Sequence, residues 1–149
     1  MSTELLHFED FPVGRVFACG PYRVTREETF EFASEFDPQL HHLDEDAASR
    51  SMLKGLSASG WHVCAIAMRM FCDGVILKAD NKGGAGAREA RWMKPVRPGD
   101  TLRMEAEVME AKPSSSKPIG FVTFGCRLYN ERDEQVAPVS MTPIVGKRP

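Results

Sequence analysis

Leu102, Met104, Ala106 and Val108 alternate with Arg103, Glu105 and Glu107, the period-two pattern of a strand with one buried and one wet face. Ile119 to Asn130, rich in Val, Phe, Thr and Tyr, predicts a second strand. The intervening Lys112-Pro113-Ser114-Ser115-Ser116-Lys117-Pro118 has loop composition and is short enough to join the two as a hairpin. Gln135 to Val145 predicts a third strand, interrupted at Pro138 and Pro143, whose missing N–H groups suit an edge or a bulge. Arg88 to Met93 predicts a further strand that stops at Pro95, and the Pro98-Gly99-Asp100 turn launches the strand beginning at Thr101. The C-terminal half therefore reads as an antiparallel meander.

The N-terminal half follows a different period. Thr25-Arg26-Glu27-Glu28 matches a capping box, and Phe30, Ala33 and Phe36 follow at helical spacing. The helix ends at Asp37, because a proline restricts the residue before it to extended or turn conformations. In Trp61 to Cys72, Val63, Ile66, Ala67 and Met70 form one apolar face, while Trp61, Cys64, Ala65, Met68 and Phe71 cover most of the rest. Only His62 and Arg69, seven apart, form a polar stripe. A helix apolar nearly all round must be surrounded, and in this chain only the strands can surround it. The expected architecture is α+β, an antiparallel β-sheet wrapped around one long central apolar helix, in a single domain over 1–149.

Composition narrows the function classes. The chain has 149 residues, 19 Lys and Arg against 21 Asp and Glu, and a formal net charge of −2, so no summed field is present to hold a polyanion. Nucleic-acid binding is not expected. The apolar run Trp61–Cys72 is 12 residues long, short of the ~20 that cross a bilayer. The N-terminal Met1–Asp10 carries three acids and no basic segment before an apolar stretch, so it does not read as a leader, and a cytoplasmic location is the default expectation. Cys19, Cys64, Cys72 and Cys126 show neither Cys-x-x-Cys pairing nor zinc-ligand spacing, and read as reduced small hydrophobes.

Three segments carry a resemblance. They are Phe36-Asp37-Pro38-Gln39-Leu40-His41-His42-Leu43-Asp44, then Gly55-Leu56-Ser57-Ala58-Ser59-Gly60-Trp61-His62, then Arg91-Trp92-Met93-Lys94-Pro95-Val96-Arg97-Pro98-Gly99-Asp100-Thr101-Leu102. In this order they resemble the MaoC-like dehydratases, hotdog-fold proteins that include the (R)-specific enoyl-CoA hydratases. The resemblance implies a hotdog fold and a catalytic dyad of Asp37 and His42, followed by Leu43 and Asp44. It also implies that the Gly60 N–H polarises a thioester carbonyl. The match departs at Pro38 and Gln39.

The residue types suit that chemistry. Adding water across a 2-enoyl thioester requires taking a proton from water and delivering one to the carbon beside the carbonyl. A carboxylate and an imidazole sharing one water can do both, and such help is worth about 10²–10⁴ in rate. Ser57, Ser59 and Gly60 lead into the apolar helix and place unpaired N–H groups at its positive end, where a developing oxyanion is stabilised. Read without the resemblance, Asp37 is a turn residue, His42 a surface histidine, Ser59 an N-cap and Gly60 a packing glycine. His41 reads as solvent-facing or structural, because neighbours on extended backbone point to opposite sides and cannot share a metal ion. His62 reads as structural. Lys94, Arg97 and Arg88 are candidates for coenzyme A phosphates but equally form a solvated face.

The expected function is an acyl-CoA or acyl-carrier hydratase or dehydratase, needing no metal, flavin or nicotinamide, with coenzyme A present only as part of the substrate. Two alternatives stand beside it. A hotdog thioesterase would carry an acid on or beside the central helix, and none lies between Ser57 and Cys72. A non-catalytic acyl-binding module would share the fold. A sheet wrapped around one helix leaves an edge and apolar surface uncovered, so a homodimer or higher homo-oligomer is expected.

Overall fold

The computed structural model describes residues 4–149, so Met1 to Thr3 of the stretch read for a leader lie outside it. The alternation around residue 105 becomes β3 (Thr101–Pro113). Leu102, Met104, Ala106 and Val108 are completely buried, and Glu105 and Glu107 on the other face meet Arg127 of β4 (Ile119–Tyr129). β4 pairs with β3 and with β5 (Gln135–Gly146), which completes the expected meander.

Two strands that the sequence pattern did not predict extend it. β1 (Val16–Arg23) adds to β3, and β2 (Asn81–Gly86) adds to β5, giving the sheet order β1-β3-β4-β5-β2. β2 reads Asn-Lys-Gly-Gly-Ala-Gly, which has no apolar alternation to detect; its backbone supplies the pairing. The predicted strand Arg88–Met93 is not one. Only Ala90 bridges Val139, and the remainder runs irregularly beside β5, held by isolated bonds such as Arg91 N–H to Pro138 O and Met93 N–H to Val136 O. β5 is therefore an interior strand rather than an edge. It tolerates Pro138 because that residue faces the irregular segment, and Pro143 because the β2–β5 register shifts beside its partner Gly84.

Thr25 caps α1 (Arg26–Phe36), its hydroxyl accepting from the Glu28 N–H at 3.1 Å. Two short helices follow, α2 (Leu40–Leu43) and α3 (Glu45–Ser49), and then the central helix α4 (Gly60–Gly74). Val63, Ile66, Ala67, Met70 and Phe71 of α4 are buried against the sheet, where Phe71 meets Phe124 of β4 edge to face at 4.9 Å. Each of these side chains except the small Ala67 contributes about 1.5–3 kcal/mol by burial. With the turn that follows, the helical stretch Gly60–Lys78 reaches 19 residues, longer than the 12-residue run suggested. This is the core helix of the domain, and its polar stripe is divided. His62 is buried beneath α1, whereas Arg69 is exposed and paired with Asp73.

Candidate active site

Pro38 stops α1, and Asp37 takes φ −148° and ψ 67° at the exit. The chain turns at once, with the Gln39 N–H bonded to Asp37 O and the His42 N–H to Gln39 O. This tight return brings two side chains five positions apart face to face: His42 Nε2 lies 3.4 Å from Asp37 Oδ2. His42 is thus not a surface histidine but is 5% exposed. His41 is also displaced from its expectation. Because α2 is helical rather than extended, its ring lies 4.1 Å from that of His42 and it lines the same cavity.

His42 Nδ1 lies 2.7 Å from the Ser57 carbonyl oxygen, which can only accept. The proton of the neutral ring is therefore on Nδ1, and Nε2 presents a lone pair towards Asp37. Neither Nε2 nor the ionised carboxylate can donate to the other, so the pair offers two acceptors to a third molecule placed between them. Asp37 is itself fixed from both sides. Ser59 Oγ donates to Oδ2 at 2.7 Å and Gln39 Nε2 donates to Oδ1 at 2.6 Å. Burial pushes the Asp37 carboxyl up, but these two bonds, and the charge that His42 and His41 carry when protonated, outweigh it, and the group sits below the usual carboxylate range. Burial, aided by the neighbouring His42, holds the His41 imidazole below its ordinary value.

Ser59 is the N-cap of α4 and its hydroxyl also accepts from the Trp61 N–H. Its carbonyl takes the Val63 N–H, while among the described residues the Gly60 N–H has no hydrogen-bond partner. Gly60 is also a packing glycine, as a Cβ there would stand 2.2 Å from Cε2 of Trp92. Asp37, His42 and Gly60 all border one cavity of about 360 Å³, whose apolar wall includes Leu53, Val63, Trp92, Val96 and Val136.

Of the three cations considered for phosphates, Lys94 lines this cavity and pairs with Glu134. Arg88 pairs with Glu110 beside a separate cavity near β2, and Arg97 is turned inward to loop carbonyls. The contributions of Gln39, Ser59 Oγ and the Ser57 carbonyl were not foreseen. The last two come from residues already marked as leading into α4, but their partners lie 22 and 15 positions away, beyond any local pattern. The cysteines are free, and burial pushes the Cys126 thiol up to about 12.

Comparison with known proteins identifies the family. Residues 11–123 match the family model described as MaoC like domain. The Bacillus subtilis protein YdeM, itself uncharacterised, is 30% identical over 142 residues, covering 95% of this chain and all of that one. A MaoC-like dehydratase from Rhodospirillum rubrum has a crystal structure that superposes with a TM-score of 0.85 at 38% identity, over 97% of this chain and 99% of that one. Mesaconyl-CoA hydratase of Cereibacter sphaeroides is 41% identical over 63 residues, which is 42% of this chain but 18% of that protein. The match through most of the domain, together with the wrapped sheet and its central helix, means that the chain belongs to the MaoC-like family and has the hotdog fold.

Proposed function

We propose that the protein is a hydratase or dehydratase of 2-enoyl and 3-hydroxyacyl thioesters. The observation that carries this reading is the Asp37–His42 pair, two acceptors 3.4 Å apart with the imidazole tautomer set by Ser57, opening into the cavity beside the α4 N-terminus. One water donates to both groups. As its oxygen adds to C3 of the enoyl group, one proton passes to the dyad, and the electron pair of the double bond moves onto C2 and the thioester oxygen. The Gly60 N–H stabilises that oxyanion, a kind of contact worth about 3 kcal/mol in other systems. The dyad then returns its proton to C2, so neither residue changes state over the cycle. Because Asp37 is held as a weak base by Gln39 and Ser59, it orients the water and His42 Nε2 takes the proton. The substrate is an acyl-CoA or an acyl-carrier thioester, and coenzyme A enters only as part of it. A two-fold homodimer is part of this reading.

The direct test is hydration of 2-enoyl-CoAs of several chain lengths, followed by loss of the conjugated thioester absorbance. Asp37→Asn and His42→Ala should each lower kcat by at least ~10² with little change in melting temperature. The double variant should lose much less than the product of the two, because both groups hold one water. Multiplicative losses would exclude a shared water. Wild-type hydration that survives both substitutions would remove Asp37 and His42 from the chemistry, and a wild type without hydration activity would return the thioesterase and binding-module alternatives. Gly60→Ala is unsuited to testing the oxyanion contact, since its Cβ collides with Trp92.

A further inference from the structure

Ser57 belongs to a segment with an unusual backbone problem. Between α3 and α4 the chain has no regular structure, yet Leu56, Ser57, Ala58 and Ser59 are all buried. Buried irregular backbone must find partners outside any ladder. The Ala58 N–H donates to Val96 O, and the Ser57 carbonyl takes the His42 ring N–H. Two further carbonyls, of Leu53 and Leu56, are satisfied by one side chain. Arg97 donates from Nη2 to Leu53 O at 2.6 Å and from Nη1 to Leu56 O at 3.2 Å.

That side chain is held in turn. The Arg97 N–H donates to Oδ2 of the buried Asp100 at 2.9 Å, so the turn before β3 fixes the base of the arginine. The segment it grips is bent through consecutive residues with positive φ, Lys54 at 58° and Gly55 at 154°. A Cβ on Gly55 would stand 3.0 Å from Nη1, so the glycine admits both the backbone conformation and the close guanidinium. Leu56 O, which Arg97 holds, is one peptide unit from Ser57 O, which sets the proton position on His42.

We propose that Arg97 is a positioning residue for the dyad, bracing the Leu53–Ser57 segment so that the Ser57 carbonyl keeps His42 in its Nδ1–H form. The catalytic part of this inference rests on the hydratase reading; the effect on the tautomer does not. Lysine cannot reproduce the brace, because one ammonium on a flexible stem does not span two carbonyls as the planar fork does.

The test uses the full chain labelled with 15N-histidine, with the His42 tautomer read by long-range proton–nitrogen correlation. The wild type should show a single Nδ1–H form. Arg97→Met and Arg97→Lys should each populate the Nε2–H form, the methionine more. Enoyl-CoA hydration should fall about ten- to a hundredfold in kcat, with KM within about twofold, as expected for misplaced groups rather than lost binding. If Arg97→Met does not fold, Arg97→Lys decides. A folded variant of either kind in which His42 keeps the wild-type tautomer overturns the proposal. A tautomer shift in a protein that hydrates no enoyl thioester would leave the brace standing and remove the hydratase reading.

Discussion

Ser59 joins two parts of the site at one hydroxyl. Oγ donates to Asp37 and accepts from Trp61, so the same atom caps the central helix and stabilises the ionised carboxylate. Ser59→Ala removes both bonds. The lost cap should cost about 1 kcal/mol, visible as a lower melting temperature. The lost donor removes one of the contacts that hold the Asp37 carboxyl down, so its pKa should rise. The midpoint of the Asp37 carboxyl carbon, followed by NMR titration, should therefore move to higher pH. An unchanged titration midpoint would show that Gln39 and the histidines hold Asp37 without help from Ser59. Gln39, where the sequence departs from the family pattern, completes the carboxylate's second side through a bond across a single proline.

At the scale of elements, α1 supplies Asp37 and α4 supplies Ser59 and Gly60, and one buried contact links them away from the cavity. His62 Nε2 meets Glu28 Oε1 at 3.2 Å, Phe32 stacks on the ring, and Tyr22 donates to the same carboxylate. His62 Nδ1 is buried without a partner, so protonation would bury an unsatisfied donor. Burial holds this imidazole below its ordinary value, against the opposing pull of Glu28. As pH falls below about 6.5, the usual value for a histidine in an unfolded chain, the unfolded state binds a proton that the folded state resists. Stability from this site is complete above that pH and declines as pH falls towards the folded pKa. Melting temperatures from pH 7.5 to 5.5 should therefore fall more steeply for the wild type than for His62→Phe, which keeps the stack on Phe32 and cannot titrate. Parallel slopes would mean that His62 is not linked to folding in this range.

For the molecule as a whole, the sheet ends in two open strands, β1 and β2, and half of the six residues of β2 are glycine. Beside the cavity, Trp61 and Trp92 meet at 5.3 Å with much of both rings exposed, and Met68 continues the exposed apolar side of α4. An open edge and an adjoining apolar face favour association. Light scattering at micromolar concentration should give twice the chain mass, and a stable monomer would remove the dimer from the proposed function.

The elements legible in the sequence were those whose pattern comes from facing a core. The alternation of β3, the all-round apolar α4 and the Thr25 cap each state a local requirement that the fold then meets. The strand β2 was not legible, because its pairing uses backbone groups that every residue has. The Arg88–Met93 stretch misled for the complementary reason: its composition suits a strand, but it lies beside β5 with only scattered bonds. The same division runs through the site. Asp37, His42 and Gly60 are close enough to a proline turn and a helix start for the sequence to mark them. The hydrogen bond that orients the His42 ring and the restraint on the Asp37 carboxylate come from Ser57 and Ser59, and the proposed brace from Arg97. A hydrogen bond depends on distance in space rather than along the chain, so only the tertiary structure could decide which hydroxyl, carbonyl and guanidinium would hold the dyad.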